Sequence, residues 1–180
     1  MRTEVTYHTF VELRKISSDL LSVGAGMEDN ESLLQATVIY SAFCFEAYLN
    51  HVGEQEVVFW EEIEMIRTFE KLTILKKHLS LEINEGCRPF QSLKEAFGIR
   101  NELAHGRTKG KDLDGMHHET ILEELKDSFK RTKVNMEFAA RCYMDTVELI
   151  ENINSQRPNP EEYLWGLSFT KVGAIPVEPA

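Results

Sequence analysis

One short stretch of the chain groups residue types that can do chemistry: Arg100-Asn101-Glu102-Leu103-Ala104-His105-Gly106. A guanidinium is a planar, permanently charged fork that suits a phosphate. An imidazole exchanges a proton near neutral pH and can act as general acid or base. Together they make a plausible ribonuclease pair. His105 would remove or donate a proton at the 2′-hydroxyl or the leaving 5′-oxygen, and Arg100 would stabilise charge growing on the phosphoryl oxygens. Attack by the 2′-hydroxyl requires no metal, and no carboxylate cluster to hold one is visible. At about 100° per residue the two side chains stand roughly 140° apart on an ideal helix. They converge only if the helix loosens at its end, or across a two-fold axis. The same residues also read as a well-closed helix end, with cations complementing the dipole and Gly106 stopping the turn.

The span 100–112 is locally basic, with Arg100, Arg107, Lys109 and Lys111 against Glu102 and Asp112. The chain as a whole is acidic: 20 Lys+Arg against 30 Asp+Glu give a formal charge of −10. That balance argues against a general nucleic-acid coat and makes Arg107, Lys109 and Lys111 the candidate contacts to an RNA backbone. Cys44, Cys87 and Cys142 have no CxxC spacing and read as reduced thiols rather than a disulfide framework or zinc site. His117 and His118 are adjacent, so on a helix they point about 100° apart, which is poor ligand spacing. His8, His51 and His78 stand isolated and receive no role. No metal and no cofactor is expected.

The elements that must position this segment are helical throughout. Apolar residues recur at helical spacing, and no alternating pattern runs beyond a few residues, so the expected fold class is all-α. A first helix is expected over residues 5–23, with Phe10, Leu13, Ile16 or Ser17, Leu20 and Leu21 on one face. Asp29 or Asn30 can cap a second over 31–52, whose apolar residues surround its axis and make it central and buried. Glu46 on that helix needs a partner, since a bare buried carboxylate is costly. A third helix is expected near 68–81, and a fourth from Pro89 to about residue 104. A polar loop then covers 107–116. A long pattern over 119–154 follows, with Met136, Ala140, Tyr143, Val147 and Ile150 as a stripe that can pack on the bundle or on a second subunit, and a weakening around 130–135 that allows a kink. The expected bundle is 1–154. Residues 155–180 form a proline-containing tail that Tyr163, Trp165 and Phe169 can dock on the core.

RNELAH resembles the Arg-x4-His signature of HEPN domains (higher eukaryotes and prokaryotes nucleotide-binding), including the polar residue after the Arg, here Asn101. The segment SAFCFEAYLN, residues 41–50, is similar to the second helix of bacterial HEPN proteins. The resemblance covers roughly residues 5–153 and leaves the tail outside. It implies a HEPN-like bundle of about five main helices that dimerises with both Arg-x4-His segments facing one cleft. Active members are metal-independent endoribonucleases, often toxins of toxin–antitoxin or phage-defence systems. Carried onto this chain, Arg100 and His105 would be catalytic and Asn101 would orient the site. Glu46 can pair with Arg100 from the neighbouring helix and set its direction, or serve as a structural acid paired elsewhere.

The expected partners are therefore RNA, a second copy of the chain, and an antitoxin or nucleotidyltransferase. The alternative is a non-catalytic HEPN module that binds a nucleotide, RNA or protein. The N-terminus lacks the apolar run of a leader. The most apolar run, residues 36–49, is shorter than the about 20 residues of a membrane span. A cytoplasmic protein without membrane attachment is expected.

Overall fold

A computed structural model describes residues 2–6, 8–28, 30–105, 134–166 and 168–172, and within them six helices are joined by one short ribbon. In chain order these are β1 (Arg2–Thr6), α1 (Thr9–Ala25), α2 (Glu31–Glu56), α3 (Trp60–Ile63), α4 (Thr68–Leu79), α5 (Phe90–Ala104), α6 (Met136–Gln156) and β2 (Ser168–Val172). The helical bundle agrees with the all-α expectation. The ribbon is an addition: β1 and β2 pair antiparallel, Arg2 opposite Val172 and Thr6 opposite Ser168. The first helix accordingly begins at Thr9 rather than near residue 5. Five residues of mixed pattern do not announce a strand whose partner is at the other end of the chain.

α2 organises the bundle. It touches α1, α3, α4, α5 and α6, and Leu34, Val38, Ala42, Phe45, Tyr48, Leu49 and Val52 on it are all buried. By length and composition it is apolar enough to cross a membrane, yet half of that stretch is buried inside the bundle. It runs on past residue 52 to Glu56, and Gly53 is the reason Trp60 can lie against it. A Cβ at Gly53 would fall 2.1 Å from the Trp60 ring, so only glycine permits the approach. α1 packs on α2 through Phe10 and through Ser17, whose hydroxyl donates to the Thr37 carbonyl (3.0 Å) and shares a hydrogen bond with Ser41 (2.8 Å). Ser17, not Ile16, is therefore the buried member of that pair of positions.

α6 differs from expectation in both start and face. It begins at Met136, where the Asn135 side chain accepts from the Phe138 N–H at 2.8 Å. Residues 134–135 are not helical, so the helical pattern expected over 119–154 is interrupted there. Its buried face carries Ala139, Cys142, Asp145, Thr146, Leu149, Ile150 and Ile153. Of the expected stripe Ile150 is buried, while Met136, Ala140, Tyr143 and Val147 lie half-buried on its flank, with Met136 packed against the core. Asp145 lies on the buried face. Arg88 grips this carboxylate with two bonds of 2.7 Å, which lets a charge face inward. Burial alone would push the Asp145 carboxyl up, but hydrogen bonds from Arg88 and Ser92 offset it, with the Arg88 and Arg141 charges, and hold it below the usual carboxylate range.

The segment after α6 docks through the buried Leu164 and through Trp165, while Tyr163 is exposed. Trp165 meets Phe10 edge-on at 5.8 Å, and the Arg14 guanidinium lies 4.8 Å above its ring. Arg107, Lys109, Lys111, the loop 107–116, His117, His118 and residues 119–133 lie outside the described residues.

Candidate functional site

α5 buries Phe90, Leu93, Ala96, Phe97 and Ile99 against the bundle and leaves Lys94, Glu95, Gly98, Asn101 and Glu102 outward. Arg100 falls at the edge between the two faces, and its guanidinium is held from three sides. Nη1 donates to Asn101 Oδ1 at 2.8 Å. Nη2 lies 3.6 Å from Glu46 Oε2 on α2. The charged carbon stands 5.4 Å from the Phe43 ring centroid, a cation–π distance. The Nε atom is buried with no hydrogen-bond partner among the described residues.

Glu46 has a second cation. Lys71, from α4, places Nζ 3.8 Å from Glu46 Oε1 and donates to Asn50 Oδ1 at 2.8 Å. Its side chain is only 3% exposed, so this ammonium depends on those two acceptors. One carboxylate on α2 thus bridges a cation from α4 and a cation from α5. Both partners left open for Glu46 by the sequence, Arg100 and another group, are present together. Lys71 itself was missed. The available signal was its position: Thr68, Lys71, Leu72 and Leu75 follow the buried stripe of α4 at helical spacing. A lysine on such a stripe implies an acidic or amide partner.

His105 is the C-cap of α5, with φ −116° and ψ 19°, and it is exposed. The helix therefore does loosen at its end. The His105 N–H donates to the Asn101 carbonyl at 2.9 Å, so Asn101 accepts from Arg100 with its side chain and from His105 with its backbone. Five residues of helix separate the two groups by about 7.5 Å along the axis. Arg100 faces α2 while His105 faces outward. Within one chain the structure gathers Arg100, Asn101 and Glu46, and it sets His105 at the rim.

A second gathering involves histidines that looked isolated. His8, the N-cap of α1, His51 on α2 and Glu161 beyond α6 bring one ligand-type atom each within 4.8 Å of one another. His51 Nε2 and Glu161 Oε1 are in hydrogen-bond contact, and Gln55 Nε2 lies 3.2 Å from His51 Nε2 and 3.4 Å from Glu161 Oε1. Burial and the His51 charge lower the His8 imidazole, against the opposing pull of Glu161. Burial would raise the Glu161 carboxyl, but the His51 hydrogen bond and charge offset it and leave it low. No local spacing in the sequence announces this trio, because its members come from three distant elements. Among the other histidines, His78 is tied to the Glu56 carbonyl at 2.8 Å.

The two buried thiols, Cys44 and Cys142, offer no nucleophile in this conformation, while Cys87 is exposed. Burial pushes both Cys44 and Cys142 up to about 12, and Cys44 donates to the Phe10 carbonyl at 3.2 Å. No protein-family model, no curated protein and no solved structure matches the chain.

Proposed function

We propose that the chain is a HEPN-type endoribonuclease that cleaves RNA by attack of a 2′-hydroxyl on the adjacent phosphorus, without a metal. The observation that carries this reading is the fixed Arg100 guanidinium, held by Glu46, Asn101 and the Phe43 ring, on the same helix end as an exposed His105. A positioned fork of this kind stabilises charge developing on phosphoryl oxygens without reorganising at the moment of reaction. His105 takes the 2′-hydroxyl proton or supplies one to the leaving 5′-oxygen. The products are a 2′,3′-cyclic phosphate and a 5′-hydroxyl.

Two copies of the chain facing through α5 would place a second His105 across the cleft from Arg100. On the outward face of α5, Gly98 is exposed, and a Cβ built there would meet no neighbouring element of the described residues within 4 Å. Arg107, Lys109 and Lys111 extend the basic segment for an RNA backbone. In this reading the protein is a cytoplasmic toxin or phage-defence component, with an antitoxin or nucleotidyltransferase as partner for its acidic surface.

One observation favours the second reading, a non-catalytic HEPN module for a nucleotide, RNA or protein. Glu46 already balances the Arg100 charge from the neighbouring helix. A mixed RNA pool incubated with the protein in excess EDTA decides between them. The wild type is expected to leave 2′,3′-cyclic phosphate ends. Arg100→Ala is expected to lose about 10²–10³-fold in rate and His105→Ala about 10²–10⁴-fold. Cleavage that survives both substitutions would overturn the assignment.

A further inference from the structure

We propose that His8, His51 and Glu161 form a site for a zinc-class divalent ion, with the remaining coordination position open to a cavity beside α2. Their donor atoms lie within 4.8 Å of one another. Two imidazoles and one carboxylate are a donor set that suits zinc and related transition ions, and three protein ligands leave a position for water or an exogenous group. The chemistry of the set matters more than its number: hard ions such as Mg²⁺ and Ca²⁺ prefer oxygen donors throughout.

Three further features favour an ion here. Glu161 Oε2 is buried and has no hydrogen-bond partner among the described residues, an unused acceptor inside the cluster. The backbone that carries Glu161 is clamped by Asn154, which accepts from the Glu161 N–H at 3.0 Å and donates to its carbonyl at 3.1 Å. The two rings are held against a fixed aromatic wall: Phe10 lies 5.5 Å from His8 and 5.1 Å from His51, with Tyr48 and Trp165 behind it. Supports of this kind hold metal ligands in place.

The open position follows from the cavity, about 520 Å³, whose wall includes both histidines, Asn50 and Glu54. The charges around the trio are compatible with a cation. Arg157 approaches Glu161 Oε1 at 3.8 Å, but Glu56 neutralises it at 2.9 Å, and Glu54 adds a negative charge to the cavity wall. The ion takes the place of the hydrogen shared by His51 Nε2 and Glu161 Oε1. The displaced proton moves to the other ring nitrogen or to solvent. Because the three ligands come from the start of α1, from α2 and from the segment after α6, the ion ties both flanks of the bundle to its central helix.

The test uses the full chain, stripped with a chelator and then titrated with Co²⁺ or Zn²⁺ alone by calorimetry, with the visible bands of bound Co²⁺ as a second readout. One ion per chain is expected. At a hundredfold excess over Kd it is expected to raise Tm by about 5–10 °C. His8→Gln, His51→Gln and Glu161→Gln are each expected to weaken binding at least tenfold. The double variant His117→Gln/His118→Gln is expected to bind as wild type does. Circular dichroism checks that each variant is folded, and the wild-type titration stands even where one is not. Absence of uptake by the wild type would overturn the site. So would uptake that survives His51→Gln and Glu161→Gln, or uptake lost in the His117/His118 variant. The ribonuclease reading has no part in this argument, and RNA cleavage in EDTA would leave it untouched.

Discussion

Replacing Glu46 by Gln removes one negative charge from between two cations and changes almost nothing in shape. At 3.6 Å from Arg100 and 3.8 Å from Lys71, each attraction is on the order of 4 kcal/mol at an effective dielectric of 20. Most of that is offset by the cost of drawing the groups from water, and Glu46 keeps 27% of its side chain exposed. The outcome lies between an exposed pair, worth up to about 1 kcal/mol, and a broken buried pair, which costs about 3–5 kcal/mol. We expect a loss of about 2 kcal/mol, read as a fall in Tm of about 4–8 °C for a chain of this size. A double-mutant cycle isolates the pair. Lys71→Met also strands the Asn50 acceptor, but that cost is present with Glu or Gln at position 46 and cancels. The coupling between Glu46→Gln and Lys71→Met is expected to be about 1–2 kcal/mol, measured by denaturant unfolding of the four proteins. Additivity within about 0.5 kcal/mol would refute the bridge between α4 and α2.

Gly53→Ala puts a Cβ 2.1 Å from the buried Trp60 ring, and overpacking of this kind is expected to cost about 3 kcal/mol. Thermal unfolding checks it, and a variant as stable as wild type would show that α3 can move away freely. Asp145 has a lowered native pKa, so the native state binds this proton more weakly than the unfolded chain does. Its contribution is therefore complete above the ordinary carboxylate value of 3.8 and is lost as pH falls through the lowered native value. Denaturant unfolding across that window is expected to show a flatter acid limb for Asp145→Asn than for wild type, and parallel limbs would contradict the Arg88 grip.

Much of the bundle was legible because its signals are local. Gly26 ends α1, the Thr68 start of α4 reads directly, and an apolar ring around α2 foretells its central place. The segment 100–106 was legible for the same reason, since residue types at fixed spacing are a local property. What escaped notice depends on distant partners. Asp145 reads as a solvent residue until Arg88 is seen to reach it. Lys71 falls on the buried stripe of α4, but which groups accept from it shows only once Glu46 and Asn50 are beside it. His8, His51 and Glu161 are separated by most of the chain, and no period or spacing links them. The ribbon is the extreme case, pairing the first residues with residues near 170.

That ribbon also sets how the molecule responds to pulling. Arg2 and Val172 lie opposite each other at the end of the ribbon where the chain enters and leaves, with Thr6 and Ser168 at the inner end. A force applied to the two ends of the chain is borne by one rung at a time, so the strands open like a zipper instead of shearing all their bonds together. Beyond the ribbon, the start of α1 and the segment after α6 are held together by Phe10, Trp165 and the Arg14 guanidinium. The pairing therefore acts as a latch that opens readily under tension while the bundle behind it stays shut.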